Sequence, residues 1–356
     1  MRTLSNILVT GGAGFIGSNF IHYLLSQPDF KGRVINADKL TYAGNPENLT
    51  DIEERFGGTR YFFEQADICE FDTIKSLFRK YSIDTVVHFA AESHVDRSIF
   101  GPKDFIETNI VGTFNLLECA RNLWNDRKDG LFHHVSTDEV FGSLGDTGSF
   151  SEATPYQPTS PYSASKAASD HLVRAYHHTY GVPVTISNCS NNFGPRQFPE
   201  KMIPLMILNL LEEEPLPVYG DGKNVRDWLY VDDHSAALWL IIRKGREGET
   251  YNIGGENEWR NIDLVHLLCD KMAEATGREK DFYRKLITFV KDRPGHDRRY
   301  AIDCTKIKKE LGWKQSLGFS ENLDTTIRWY RNNLSWVDKI RSGEYKTWIQ
   351  RNYLNR

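Results

Sequence analysis

Residues 6–26 read NILVTGGAGFIGSNFIHYLLS, and no other stretch limits the fold of this chain as strongly. The apolar run 6–10 predicts a strand. Glycines follow at once at 11, 12, 14 and 17, and Phe15, Ile16, Phe20, Ile21 and Leu24 then recur at helical spacing. Strand, glycine turn and helix in this order build a phosphate cradle. Glycine permits the tight turn and close backbone approach, and a diphosphate then meets the positive amino end of the helix. A second predicted strand, RVINAD at 33–38, ends in Asp38, 21 residues beyond Gly17, about where a ribose-binding carboxylate belongs. That carboxylate would repel a 2′-phosphate, so the pattern predicts NAD rather than NADP.

The alternation continues. Strand-like runs at 60–67, 84–91 and 132–137 are separated by helical periodicity at 71–81 and about 103–125. Repeated βα units predict a doubly wound parallel sheet covered on both faces, with ligands at the carboxyl ends of its strands. Asp67, Ala90 and Thr137 therefore point to one crevice. At 356 residues the chain exceeds the roughly 250 to 300 at which single cores stop growing. A Rossmann-type domain over 1–188 is expected, followed by a smaller mixed α/β lobe over 189–356, with some segments, such as 183–188, returning to the first sheet.

Totals exclude more than they assign. Lys and Arg number 44 against 48 Asp and Glu, a formal charge of −4 that gives no reason to invoke nucleic acid or a membrane surface. No apolar run approaches the roughly 20 residues of a spanning helix, and no signal-type segment opens the chain. The five cysteines are scattered, without metal-ligand spacing, which fits a reducing cytoplasm and no metal. His133 and His134 are neighbours on a strand and face opposite sides, which argues against joint metal binding.

Chemistry enters at two places. The strand LFHHVST ends in Thr137, Asp138 and Glu139, a hydroxyl and two carboxyls where a sheet edge opens. Further on, PYSASKAASDHLVRAYHHTYG (161–181) predicts a helix that puts Tyr162 and Lys166, four residues apart, on one face. An ammonium near a phenol favours the phenolate, so Tyr162 is expected to act as a base, with its titration lowered by Lys166. Two close carboxyls in a partly dry crevice titrate apart, leaving one protonated and one ionised. Which of the two holds the proton is open at this level.

With these blocks on the page, the chain resembles the extended short-chain dehydrogenase/reductase family, and within it the nucleotide-sugar 4,6-dehydratases. The resemblance spans essentially the whole length. It is carried by TGGAGFIGSN (10–19), DKLTYAGN (38–45), HFAAESHVDRSI (88–99), STDEVFG (136–142), YSASK (162–166), NCSNNFGP (188–195), RDWLYVDDH (226–234) and DRPGHDRRYAID (292–303). It implies a catalytic set of Thr137, Asp138, Glu139, Tyr162 and Lys166. Tyr162 is then the base at sugar C4, Glu139 the base at C5 and Asp138 the acid at the C6 hydroxyl.

The resemblance also implies NAD held by Gly11, Gly14, Phe15, Ile16, Gly17, Asp38, Lys39, Asp67, Ile68 and Ala90 together with Tyr162 and Lys166. It implies dTDP-glucose as the sugar nucleotide, contacted by Ser93, Thr137, Asn191, Lys201, Arg226, Asn261, Arg293 and His296, and a homodimer. Arginine suits a diphosphate because its forked donors match the oxygens. A different base, as in UDP-glucose, is the nearest rival. A 4-epimerase would share Tyr162 and Lys166 but has no use for the Asp138–Glu139 pair, and a non-catalytic dinucleotide-binding module would need none of these residues. Phe193 departs from the pattern, which has Tyr there, and that puts a hydroxyl contact in doubt.

Overall fold

The computed structural model describes residues 2, 4–124, 130–292 and 295–341. Its strands are β1 (Asn6–Thr10), β2 (Arg33–Asp38), β3 (Tyr61–Gln65), β4 (Thr85–His88), β5 (Leu131–Thr137), β6 (Val184–Cys189), β7 (Asn191–Phe193), β8 (Leu216–Tyr219), β9 (Val225–Tyr230), β10 (Thr250–Ile253), β11 (Glu258–Arg260) and β12 (Ile287–Val290). Seven of them form one parallel sheet in the order β3-β2-β1-β4-β5-β6-β10. The order reverses between β1 and β4, which opens a crevice at their carboxyl ends.

The sheet is apolar on both sides because helices cover both. Along β1, Ile7 and Val9 pack into one core with Phe20, Ile21, Leu24 and Trp239, while Leu8 packs into another with Ile35, Val86, Leu116 and Phe132. All these side chains except Trp239 are essentially fully buried, as the period-two alternation of a doubly covered strand requires. Trp239 comes from the late helix Val231–Lys244, and β10 then extends the sheet beyond β6.

A second apolar core forms where the chain leaves this sheet. It joins Phe193, Ile203, Ile207, Leu210, Trp228, Leu264, Leu268, Tyr330 and Trp336, contributed by β7, β9 and the helices Met202–Glu212, Asn261–Thr276, Phe319–Asn332 and Leu334–Ile340. Two small sheets border it, β11-β9-β7 and β12-β8.

Two local departures matter for the site. Helix Pro102–Phe105 runs on through a wider turn over Ile106–Gly112 into Thr113–Leu123, so the helix expected at 103–125 carries a π-type bulge and its last residue lies outside the described residues. Beyond Thr137, β5 does not fray into a loop. Asp138–Phe141 form a tight 3-10 turn that Thr137 caps, its hydroxyl accepting from the Glu139 N–H at 3.3 Å.

Candidate active site

The glycine turn is built by sterics. Gly11 has φ +70°, and a Cβ there would lie 2.6 Å from the Ala90 nitrogen; one on Gly17 would lie 2.3 Å from the Gly11 carbonyl oxygen. No side chain caps the helix Phe15–Ser26 at Gly14, so its first N–H groups face the crevice as an anion cradle. Asp38 closes the cradle from β2. Its carboxyl accepts from Ala13 N at 2.9 Å and Leu40 N at 2.8 Å. Burial pushes its pKa up, and those two backbone donors offset only part of the rise. Lys39 is paired with Asp67 at 2.6 Å on the same rim.

These residues line one cavity of about 570 Å³, together with Phe15, Ile16, Ile68, Ala90, Ser93, Thr137, Asp138, Glu139, Tyr162, Lys166, Asn191 and Lys201. The structure thus brings the whole expected catalytic set to the wall of the expected cofactor cleft. A dinucleotide suits this donor set: a glycine cradle with free helix N–H groups at one end and buried polar side chains at the other.

The catalytic wall has two supports. The 3-10 turn sets successive side chains about 120° apart. Asp138 is therefore buried while the neighbouring Glu139 stays half-buried, and both still line the cavity. The facing helix, Pro161–Tyr180, starts on a capping box in which Ser160 and Ser163 satisfy each other, with Pro161 at its first position, and stops at Gly181 in the left-handed region. That start places Tyr162 one residue into the helix, at its cavity end.

Burial and charge act strongly on the Asp138 carboxyl. Burial first, then the Glu139 and Asp227 charges, hold the Asp138 carboxyl well above the usual range; Arg226 and a 3.4 Å bond from the Thr137 hydroxyl offset this only in part. Its Oδ2 is buried without a hydrogen-bond partner among the described residues. Burial and neighbouring charge thus favour the protonated form of Asp138.

The expected depression of Tyr162 by Lys166 is not what the structure shows. Burial, with the Glu139 charge next and Cys189 and Asp138 adding to it, drives the phenol well above its ordinary value, and a hydrogen bond with Thr137 offsets only part of the rise. The ammonium is engaged elsewhere, donating to the Val135 carbonyl at 2.9 Å and lying 3.3 Å from His134 Nε2. Burial also lowers Lys166 itself, to about 8.

The expected substrate contacts divide. Asn191 lines the cavity, and its side-chain oxygen is buried with no hydrogen-bond partner among the described residues. Ser93 and Lys201 line it as well. Arg226, Asn261 and His296 do not. Arg226 is buried, donates to the Val225 and Asp297 carbonyls at 2.7 and 2.9 Å and lies over the Tyr300 ring. His296 bonds Asp292 at 2.6 Å, and Asn261 begins a helix. Arg293 lies outside the described residues. The Phe193 ring is buried against Tyr230, Trp228 and Phe319 and does not line the cavity, so a hydroxyl there would point into the second core's aromatic cluster.

Sequence reasoning missed Tyr42, Cys189, Phe198 and Glu200, all of which line the cavity. Arg97 stacks on Tyr42 at 3.6 Å and bonds Glu200 at 3.3 Å, tying together three segments distant in sequence. No spacing rule announces such a clamp. His88 and His133 are buried and bonded to threonine or serine hydroxyls, consistent with holding roles. Among the described residues no metal-ligating cluster occurs, and no helix is long and apolar enough to cross a membrane.

Comparison with known proteins places these observations. The family model described as GDP-mannose 4,6 dehydratase matches residues 8–326. The chain is 53% identical to dTDP-glucose 4,6-dehydratase 1 of Escherichia coli K12, covering 98% of this chain and 99% of that one. It is 56% identical to a probable dTDP-glucose 4,6-dehydratase of Sinorhizobium fredii, covering 95% and 97%. Among solved structures, the dTDP-glucose 4,6-dehydratase DesIV of Streptomyces venezuelae, determined with NAD and TYD bound, superposes with a TM-score of 0.87. It is 46% identical over 94% of this chain and 99% of that one.

Proposed function

The chain belongs to the GDP-mannose 4,6 dehydratase family, and from that premise we propose that it is an NAD-dependent dTDP-glucose 4,6-dehydratase that yields dTDP-4-keto-6-deoxy-glucose, a precursor of rhamnose-type deoxysugars. One observation carries the reading: a buried Asp138, its carboxyl pushed toward the protonated form, beside Glu139 on the same cavity wall as Tyr162 and Lys166. An epimerase has no use for that pair.

Gly11, Gly14, Gly17 and the helix start take the cofactor diphosphate, Asp38 takes a ribose, and Phe15, Ile16, Lys39, Asp67, Ile68 and Ala90 complete its cleft. Held there, NAD supplies a hydride acceptor for sugar C4 and later a hydride donor for C6. Tyr162 takes the proton from the C4 hydroxyl as phenolate, a form that burial by itself disfavours and that the positive nicotinamide ring and the Lys166 ammonium favour once the cofactor is held, while Thr137 hydrogen-bonds to that oxygen. A ketone at C4 acidifies the C5 proton, which Glu139 removes. The freed electron pair forms the C5–C6 double bond as the C6–O bond breaks, and Asp138 gives its proton to the departing hydroxyl, which leaves as water. Glu139 then returns its proton to C5. Asp138's raised affinity for a proton suits the acid of this step.

Asn191, Ser93 and Lys201 hold the sugar end, with Arg226, Asn261, Arg293 and His296 assigned to the nucleotide. Residues 1–188 thus serve the cofactor and 189–356 the sugar nucleotide, with β10 returning to the main sheet. The protein is assigned to the cytoplasm, in keeping with five cysteines that are all free thiols. A homodimer is supported by Phe100, Ile106, Val111, Phe114 and Tyr180, large apolar side chains exposed in or beside the helices that follow β4 and β5.

Purified protein mixed separately with dTDP-glucose, UDP-glucose and GDP-mannose tests this directly. Mass spectrometry should show loss of one water from dTDP-glucose, and light scattering a mass of two chains. No water loss from any of the three after NAD is supplied would overturn the reaction; water loss from UDP-glucose alone would overturn the base preference.

A further inference from the structure

Behind the cavity wall, a chain of buried polar groups runs away from Lys166. His134 Nε2 lies 3.3 Å from the Lys166 ammonium and 3.2 Å from Asp170 Oδ1. The other Asp170 oxygen accepts from Tyr156 at 2.7 Å, from Ser136 at 3.0 Å and from Asn188 at 3.3 Å. Arg174 then donates to the Tyr156 hydroxyl at 2.8 Å, at the edge of a surface cleft lined by Tyr156, His171, Arg174, Glu249 and Lys306. His134, Lys166 and Asp170 are all buried, and none of the chemistry above uses His134 or Asp170.

Such a chain has a cost and therefore needs a reason. A buried carboxylate is expensive to hold unless its lone pairs are met, and replacing ionic groups by apolar ones is often neutral or better. Here Tyr156, Ser136 and Asn188 converge on one oxygen of one aspartate, while the other oxygen is buried without a hydrogen-bond partner among the described residues and lies beside the imidazole nitrogen that touches the lysine.

We propose that Asp170 is a positioning residue for the reaction proposed above: its charge keeps the Lys166 ammonium protonated, and His134, wedged between the two, directs that ammonium at the cavity.

The groups around Lys166 support the assignment. From its own helix, Tyr162 lines the same cavity and Asp170 acts on it by charge; from β5, His134 lies beside it; and Cys189 of β6 and His88 of β4 are within electrostatic reach. Burial keeps both histidines neutral and raises the Cys189 thiol to about 12, so Asp170 is the anion in this set at neutral pH. Burial works against the Asp170 charge too, but His134, Lys166 and Tyr156 outweigh it and the carboxyl sits below its usual range. Lys166, lowered by burial to about 8, is held up chiefly by Asp170.

The sign of the test follows. Lys166 is useful while protonated, so turnover falls as pH rises through its titration. Removing the Asp170 charge lets the proton leave at lower pH. In Asp170→Asn and Asp170→Ser, the basic limb of the kcat–pH profile for dTDP-glucose should move down by about one unit, as expected for loss of an opposite charge at this range. Asp170→Glu should return it toward wild type. His134→Gln, which changes no charge at neutral pH, should lower kcat and leave the limb in place.

Melting curves and bound-NAD content establish that each variant is folded and loaded. A wild-type limb in a folded Asp170→Asn or Asp170→Ser overturns the assignment while leaving the dehydratase reading intact. Absence of water loss in the wild type overturns that reading instead. If neither neutral variant folds, a downward shift in Asp170→Glu equal to the one-unit expectation also overturns the assignment, because the charge is still present there.

Discussion

The carboxyl edge of the main sheet and the second core meet their expected ligands in different ways. At the edge of β1, β2, β4 and β5, every expected side chain lines a single cavity. Beyond Cys189, Asn191 and Lys201 reach that cavity while Arg226 and His296 bond to the protein itself. The difference lies in what fixes each side chain. Catalytic groups follow strand ends and helix spacing, which are local and stiff; recognition groups sit on turns whose placement depends on how the second core docks.

This contrast predicts a division of kinetic effects. The largest belongs to Glu139→Gln, which should lower dehydration by about 10²- to 10⁴-fold, the usual worth of a general base. Because oxidation at C4 precedes elimination, reduced cofactor should still accumulate, visible by absorbance when substrate is added. Full product at an unchanged rate would remove Glu139 from the C5 position. KM should change little, since the sugar nucleotide is held elsewhere.

Arg226→Gln should do the reverse, raising KM about tenfold to a hundredfold with a smaller change in kcat, as loss of a charge-assisted contact implies. Steady-state kinetics against dTDP-glucose decides it. If stability falls while KM stays put, Arg226 serves only the Asp297 and Tyr300 contacts the structure records, and the contrast between the regions sharpens.

The smallest effect concerns stability. Asp138 binds its proton more tightly folded than unfolded, chiefly through burial. Its favourable contribution is complete below the unfolded value, about pH 4, and is lost as pH rises through the folded one. Asp138→Asn should therefore melt higher than wild type at pH 8, by about 2 °C or more, with the gain shrinking toward acid pH. Equal differences at all pH values would show that Asp138 does not carry a raised titration.

Much of this architecture was legible beforehand because it rests on short-range rules. A glycine at 11 is required where a Cβ would strike Ala90, and Asp38 follows from the length of one βα unit. Tyr162 and Lys166 share a face because helices repeat every 3.6 residues. The tight turn after Thr137 was not legible, since a polar triplet after a strand fits a loop equally well. Nor were the Arg97–Tyr42–Glu200 clamp or the Asp170 network, whose partners come from elements far apart in the chain.

By itself, then, the sequence determined the parallel sheet, the glycine turn of the cofactor cradle and the shared helix face of Tyr162 and Lys166, through periodicities that act over a few residues, while the roles of Asp138 and Glu139 came from the resemblance of whole motifs. Only the tertiary structure decided that burial and neighbouring charge push the Asp138 carboxyl toward its protonated form, that the Lys166 ammonium bonds Val135 and lies beside His134, and that Arg226 is engaged by Val225, Asp297 and Tyr300. Those outcomes are set by burial and by charges brought together from distant segments, and a protonation state is the sum of all of them.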